Sequence, residues 1–164
     1  MNELSIIQQA ILNEVEGTAF YEMAVLQATN IDVKLALQHL RDQEIVHEQW
    51  LRSLNQSIQG KSTFTLDWDK LNELEKVQSP GIFAKAGEVF QFSAIELAIF
   101  GAGLLMEKAS IDFYTKAARE ALTPEEKELY KQLVKWETVH LDQLDKIHTM
   151  LQDEWWEKQQ FSPA

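Results

Sequence analysis

Six ionisable residues occupy positions where the pattern of this chain otherwise calls for hydrocarbon. Glu14, Glu44 and His47 recur at a constant offset of 93 positions as Glu107, Glu137 and His140. Each set is one Glu followed, about thirty residues on, by Glu-x-x-His. The correspondence extends to apolar neighbours: Phe20-Tyr21 returns as Phe113-Tyr114, and Leu40, Val46 and Leu51 return as Leu133, Val139 and Leu144. The chain is therefore a tandem repeat of a two-helix unit. Two such units facing each other supply four carboxylates and two imidazoles, a ligand set suited to a pair of divalent cations. Oxygen and imidazole without sulfur fit iron or manganese, and admit zinc or cobalt.

Burial makes the cations a requirement. Four ionised carboxylates alone in a core would cost many kcal/mol and would take up protons instead. Two divalent cations balance four carboxylates with both imidazoles neutral. A lone Glu-x-x-His usually marks a solvated helix face, but here both copies lie on the inward seam. Tyr21 and Tyr114 follow Glu14 and Glu107 by two turns on the same face. They are either donors that orient the carboxylates or core aromatics with a satisfied hydroxyl. His39 and His148 have no histidine at the matching repeat positions, which hold Gln132 and Asn55, and Asp145-x-x-His148 reads as surface.

The elements that must position these groups follow from spacing. Leu4, Ile7, Ile11, Glu14, Thr18, Tyr21 and Val25 step by three and four, as do Val33, Leu37, Leu40, Glu44, His47, Leu51 and Leu54. Leu97, Phe100, Leu104, Glu107, Ile111, Tyr114 and Ala118 form a third seam. Tyr130, Leu133, Glu137, His140, Leu144, Ile147 and Leu151 form a fourth. This is the period of helices in a bundle. Asn30 suits an N-cap, as does Thr123 ahead of Pro124 and a capping-box Glu126, and Ser93-Ala94-Ile95-Glu96 is a second capping box. Gly60 ends the second helix. Glu14 and Glu44 lie at nearly equal distances on either side of Asn30, so at ~1.5 Å rise per residue they reach the same level to within roughly 3 Å.

The expected architecture is all-α: a four-helix bundle of two antiparallel hairpins joined by one long crossover, the ferritin-like topology. One domain covers 1–164, with hairpin one at about 4–59, a crossover at 60–92, hairpin two at about 93–154 and a tail at 155–164. The crossover contains Ser79-Pro80-Gly81 and an expected short helix around Trp68 to Val77. Gly101 and Gly103 suggest close helix approach. Trp155, Trp156 and Phe161 read as packing or a subunit contact.

Composition narrows the function. A formal net charge of -11 disfavours nucleic acid and anionic membrane as partners. With no cysteine, thiolate metal sites, thiol catalysis and disulfides are excluded. No apolar run reaches membrane-spanning length and the start lacks a basic signal head, so a cytoplasmic location is expected.

The segments Glu14-Val15-Glu16-Gly17-Thr18-Ala19-Phe20-Tyr21 and Glu107-Lys108-Ala109-Ser110-Ile111-Asp112-Phe113-Tyr114 resemble the rubrerythrin-type branch of the ferritin-like di-iron proteins. Gln43-Glu44-Ile45-Val46-His47 and Trp136-Glu137-Thr138-Val139-His140 are similar to that family's other two motifs. The resemblance spans about residues 5–151. It implies a centre of two iron ions, with manganese or a mixed pair also admissible, each metal held by Glu and His and the two bridged by carboxylates. It further implies reactivity toward hydrogen peroxide or dioxygen, a part in the response to oxidative stress, and a homodimer.

Two departures stand out. Rubrerythrins usually append a four-cysteine rubredoxin domain, so here an external electron donor protein is expected. They also carry an extra ligand Glu three residues after the third-helix Glu, where this chain has Ser110, the repeat counterpart of Gly17. The six-ligand set is similar to that of bacterioferritin, but Ile45 stands where that family has its haem-ligating Met, so no haem is expected.

The leading expectation is a di-iron peroxidase or oxidase acting through Glu14, Glu44, His47, Glu107, Glu137 and His140, with Tyr21 and Tyr114 hydrogen bonding to them. The alternatives are a ferroxidase or iron-storage protein of bacterioferritin type, and a non-catalytic interaction module stapled by metal.

Overall fold

The computed structural model describes residues 3–61 and 92–159. The expected crossover helix near Trp68, the Ser79-Pro80-Gly81 turn and Phe161 lie outside these residues, as does the side chain of Leu4. Four helices follow in order: α1 (Glu3–Gln27), α2 (Ile31–Ile58), α3 (Ala94–Glu120) and α4 (Pro124–Gln159). The α1–α2 and α3–α4 hairpins pack on each other through α1 against α3 and α2 against α4. The result is the expected all-α, ferritin-like bundle.

The helix ends obey the local chemistry of the sequence. The Asn30 side chain accepts from the amides of Asp32 and Val33 at 2.8 and 3.2 Å, satisfying the free donors at the start of α2. Beyond Gln59, which caps α2, Gly60 adopts φ 69°, a left-handed conformation that costs glycine little. The α3 capping box is complete: the Glu96 amide donates to Ser93 Oγ and the Ser93 amide donates to Glu96 Oε2. Glu126 and Thr123 make the same exchange at the start of α4.

Glu96 does more than cap. Its other oxygen accepts from the Thr29 and Asn30 amides at 2.8 and 2.9 Å, so the enclosed carboxylate ties the start of α3 to the α1–α2 turn. In the second hairpin the matching turn amides, Leu122 and Thr123, are held by Glu126 of the same hairpin.

The apolar core falls into two clusters. One gathers Ile7, Leu51, Leu54, Tyr114, Leu129, Leu133 and Trp136. The other gathers Tyr21, Leu37, Leu40, Phe100, Leu144, Ile147 and Leu151. On every helix the ionisable residues fall between the stretches that feed the two clusters. Antiparallel neighbours then bring all six to one level, and the bundle holds a polar layer between two apolar ones.

Most seam positions are buried, but Thr18, Val25, Leu97 and Ile111 are only half-covered, while Ala10, Gly17, Ala24 and Ala117 are buried. Small side chains let neighbouring helices approach, which rotates the contact line off the larger residue. Gly103 shows the closeness: a Cβ there would stand 3.2 Å from Leu144 Cδ1.

Candidate metal centre

All six predicted residues are buried and converge. They divide into two overlapping groups: Glu14, Glu44, His47 and Glu137, and Glu44, Glu107, Glu137 and His140. Within each group one donor atom per residue lies within 4.8 Å of the others. Glu44 and Glu137 belong to both. Glu44 turns Oε2 toward His47 Nδ1 at 3.5 Å and Oε1 toward His140 Nδ1 at 3.4 Å. Glu137 turns Oε1 toward His47 Nδ1 at 3.2 Å and Oε2 toward His140 Nδ1 at 3.1 Å. Glu14 and Glu107 each face one imidazole, at 3.2 and 3.8 Å. Two carboxylates thus sit in the middle, sharing their oxygens between two groups, and one carboxylate closes each outer side.

Each tyrosine reaches the glutamate of the opposite hairpin. Tyr21 Oη donates to Glu107, and Tyr114 Oη donates to Glu14. Seven residues along its own helix, each tyrosine is roughly 10 Å above its own glutamate. Side chains lean toward the N-terminus of their own helix, and α3 runs antiparallel to α1, so each tyrosine leans back toward the layer while the glutamate of the opposite hairpin leans out to meet it.

Charge in the layer is distributed unevenly. Burial pushes the carboxyls of Glu14 and Glu107 well above the ordinary range, and the charges of Glu44 and Glu137 add to it. Burial acts on Glu44 in the same direction, but hydrogen bonds from His140 and His47 outweigh it and hold that carboxylate low. Glu137 is also held low, because the two histidines overcome its burial and the repulsion of Glu44. Burial alone would discharge the histidines. The facing carboxylates win, raising His47 well above its usual value and His140 to about 10. The metal-free layer therefore keeps two imidazolium–carboxylate pairs in the middle, with the outer carboxyls inclined to hold protons. Cations entering would take the place of those protons, since metal ligands must be deprotonated.

Two neighbours were present in the sequence motifs without an assigned role. The Nε2–H of His140 donates to Gln43 Oε1. The ring of His47 lies flat against Trp136, with centroids 4.9 Å apart and planes at 7°, and Trp50 packs on Trp136 in turn. Gln43 and Trp136 occupy the same repeat position, each just before a central glutamate. That offset was the signal available to find them. Gly17 also touches the site: a Cβ there would stand 3.3 Å from Glu44 Cδ, so the absent side chain makes room for that carboxylate.

His39 and His148 stay apart from both groups. His39 is half-buried on α2, where burial and the nearby charge of His140 lower its pKa. His148 packs over Gly101, whose Cβ would lie 3.5 Å from its Nε2.

Among the described residues no helix is long and apolar enough to cross a membrane. No curated protein and no solved structure matches the chain. A family model described as Rubrerythrin matches residues 5–148. With that match over most of its length, and with paired Glu and Glu-x-x-His residues gathered in one buried layer suited to metal, the chain belongs to the rubrerythrin family.

Proposed function

We propose that this chain is a di-iron oxidoreductase that reduces hydrogen peroxide or dioxygen with electrons from an external donor. Glu14, Glu44, His47, Glu107, Glu137 and His140 are the iron ligands in this reading. The observation that carries it is the double orientation of Glu44 and Glu137, each offering one oxygen to each imidazole-bearing group. Two cations, one in each group, would give every one of those oxygens a partner, and four carboxylates against two divalent ions would close the charge balance with neutral imidazoles.

Two ferrous ions, when bound, supply the two electrons needed to split an O–O bond and a Lewis-acid field for the oxygen that develops charge. The protein side has three tasks. Glu44 and Glu137 fix the spacing of the two positions. Tyr21 and Tyr114 hold hydroxyl protons on the outer carboxylates from across the bundle, which orients Glu107 and Glu14 and places proton donors at the site. The apolar clusters on either side of the layer keep bulk water away, strengthening each of these interactions. Reduction of peroxide to two waters consumes two electrons and two protons. The 164 residues hold no cysteine, so the electrons that restore the resting state come from a donor outside them.

Anaerobic loading with ferrous iron, followed by rapid mixing with peroxide or oxygen, tests the reading. Two irons per chain, faster oxidation by peroxide and turnover only with an added reductant are expected. Faster oxidation by oxygen with growth of a polynuclear iron core in a large particle would replace it with iron storage.

A further inference from the structure

The ligand set is repeated, but the surroundings of its two histidines are not. Both rings point Nδ1 at the carboxylates. On the far side, His140 Nε2 meets the side-chain carbonyl of Gln43, which reaches it from α2. A carbonyl oxygen only accepts, so Nε2 keeps its proton, and once Nδ1 gives up its own the ring offers a lone pair there. The bond also fixes ring rotation and raises the basicity of Nδ1. No described residue accepts from His47 Nε2. The equivalent position holds Trp136, whose indole stacks on the ring face. Stacking holds the plane of His47, but it chooses neither tautomer nor raises the basicity of Nδ1.

We infer that Gln43 is a positioning residue for His140, and that the Glu107–His140 side of the layer takes a divalent cation before the Glu14–His47 side. The shared glutamates face the two imidazoles at closely matched distances, and each outer glutamate accepts from a tyrosine. Glu14 stands nearer its histidine than Glu107 does, 3.2 against 3.8 Å, and the order we assign rests on the exchange of Gln for Trp at one repeat position. This inference rests on the dinuclear reading, and the test separates the two.

The probe is zinc alone, added stepwise to the metal-free protein with nitrogen-15 in its histidine rings. In the parent, the first equivalent is expected to shift the His140 imidazole resonances and the second those of His47. Gln43→Leu removes the acceptor. The first binding step should weaken ~10–100-fold and the two rings should then respond together. Gln43→Glu keeps an acceptor and should restore the order. Should Gln43→Leu lose helix content by circular dichroism, the order in the parent and in Gln43→Glu still decides. Two zinc ions with His47 shifted first, or an order unchanged in a folded Gln43→Leu, would overturn the inference and leave the dinuclear reading intact. Saturation at one zinc per chain would overturn that reading itself.

Discussion

The two hairpins present nearly the same inner face and different outer ones. Inside, Glu14, Glu44, His47 and Tyr21 have counterparts in Glu107, Glu137, His140 and Tyr114, all buried in one connected layer. Outside, α1 exposes Leu12, Val15, Ala19, Met23 and Leu26 at helical spacing, whereas the matching positions of α3 are Leu105, Lys108, Asp112, Lys116 and Arg119. The reason is geometric coupling. An inner residue is bound to a partner on the opposite hairpin, so a change on one side disturbs the other. Among the described residues an outer position makes no such contact, so it is free to differ. Gln43 and Trp136 lie at the border between the two regimes: they touch the buried histidines, yet they are not matched.

If the inner faces are equivalent, their variants must behave in pairs. The largest effect is expected at the shared glutamates. Glu44→Ala or Glu137→Ala removes an oxygen from both groups, and each should abolish dinuclear loading while keeping most of the helix content. Glu14→Ala and Glu107→Ala should each lose one ion. Metal analysis and circular dichroism measure both, and full loading of either central variant would contradict the sharing.

Protonation gives the next effect. Both histidines titrate above their unfolded value in the metal-free protein, His140 at about 10. Their stabilisation is complete below the unfolded pKa of about 6.5 and is lost as pH rises through the folded values. Glu14 and Glu107, also raised, act in the same direction. Thermal unfolding in the presence of chelator should therefore occur at a lower temperature at pH 9.5 than at pH 6.5. Metal binding should show the opposite trend, tightening with pH and releasing protons that an indicator dye detects.

The crossed tyrosines come third. Tyr21→Phe strips a donor from Glu107 and Tyr114→Phe strips one from Glu14, and each should weaken metal binding ~10-fold. Equal losses would support the pairing across the bundle. A loss in one variant alone would restrict the hydrogen bond's role to one side.

The smallest expected effect separates Gly17 from Ser110. Gly17→Ala gains up to about 1 kcal/mol of helix propensity, but its methyl would stand 3.3 Å from Glu44 Cδ and press on the carboxylate. The variant should be no less stable without metal, yet bind metal a few-fold more weakly. Ser110→Ala adds no bulk and should leave titration unchanged. Calorimetric titration of both variants checks the contrast.

The inward face of each helix, the hairpin turns at Asn30 and Thr123 and the common level of the six ionisable residues were legible in the chain. Periodicity, caps and equal spacing about a turn are local properties that survive without knowing the partner. The half-covered Thr18, Val25, Leu97 and Ile111 show the resolution of that reading: it finds a face, while small neighbours such as Gly17 and Ala24 decide which residue on it touches the next helix. Which groups meet across the bundle was decided by tertiary structure. Tyr21 bonds to Glu107 rather than Glu14 because α1 and α3 run antiparallel: Glu14 leans away from Tyr21 along its own helix, and Glu107 leans toward it. Glu96 reads locally as a cap, and only packing brings the Thr29 and Asn30 amides to its second oxygen. Gln43 and Trp136 read as an unremarkable mismatch between repeats until α2 and α4 are side by side. The chain then gives one histidine a hydrogen-bond acceptor and the other an aromatic face, because a contact between hairpins depends on two segments some ninety residues apart arriving at the same height.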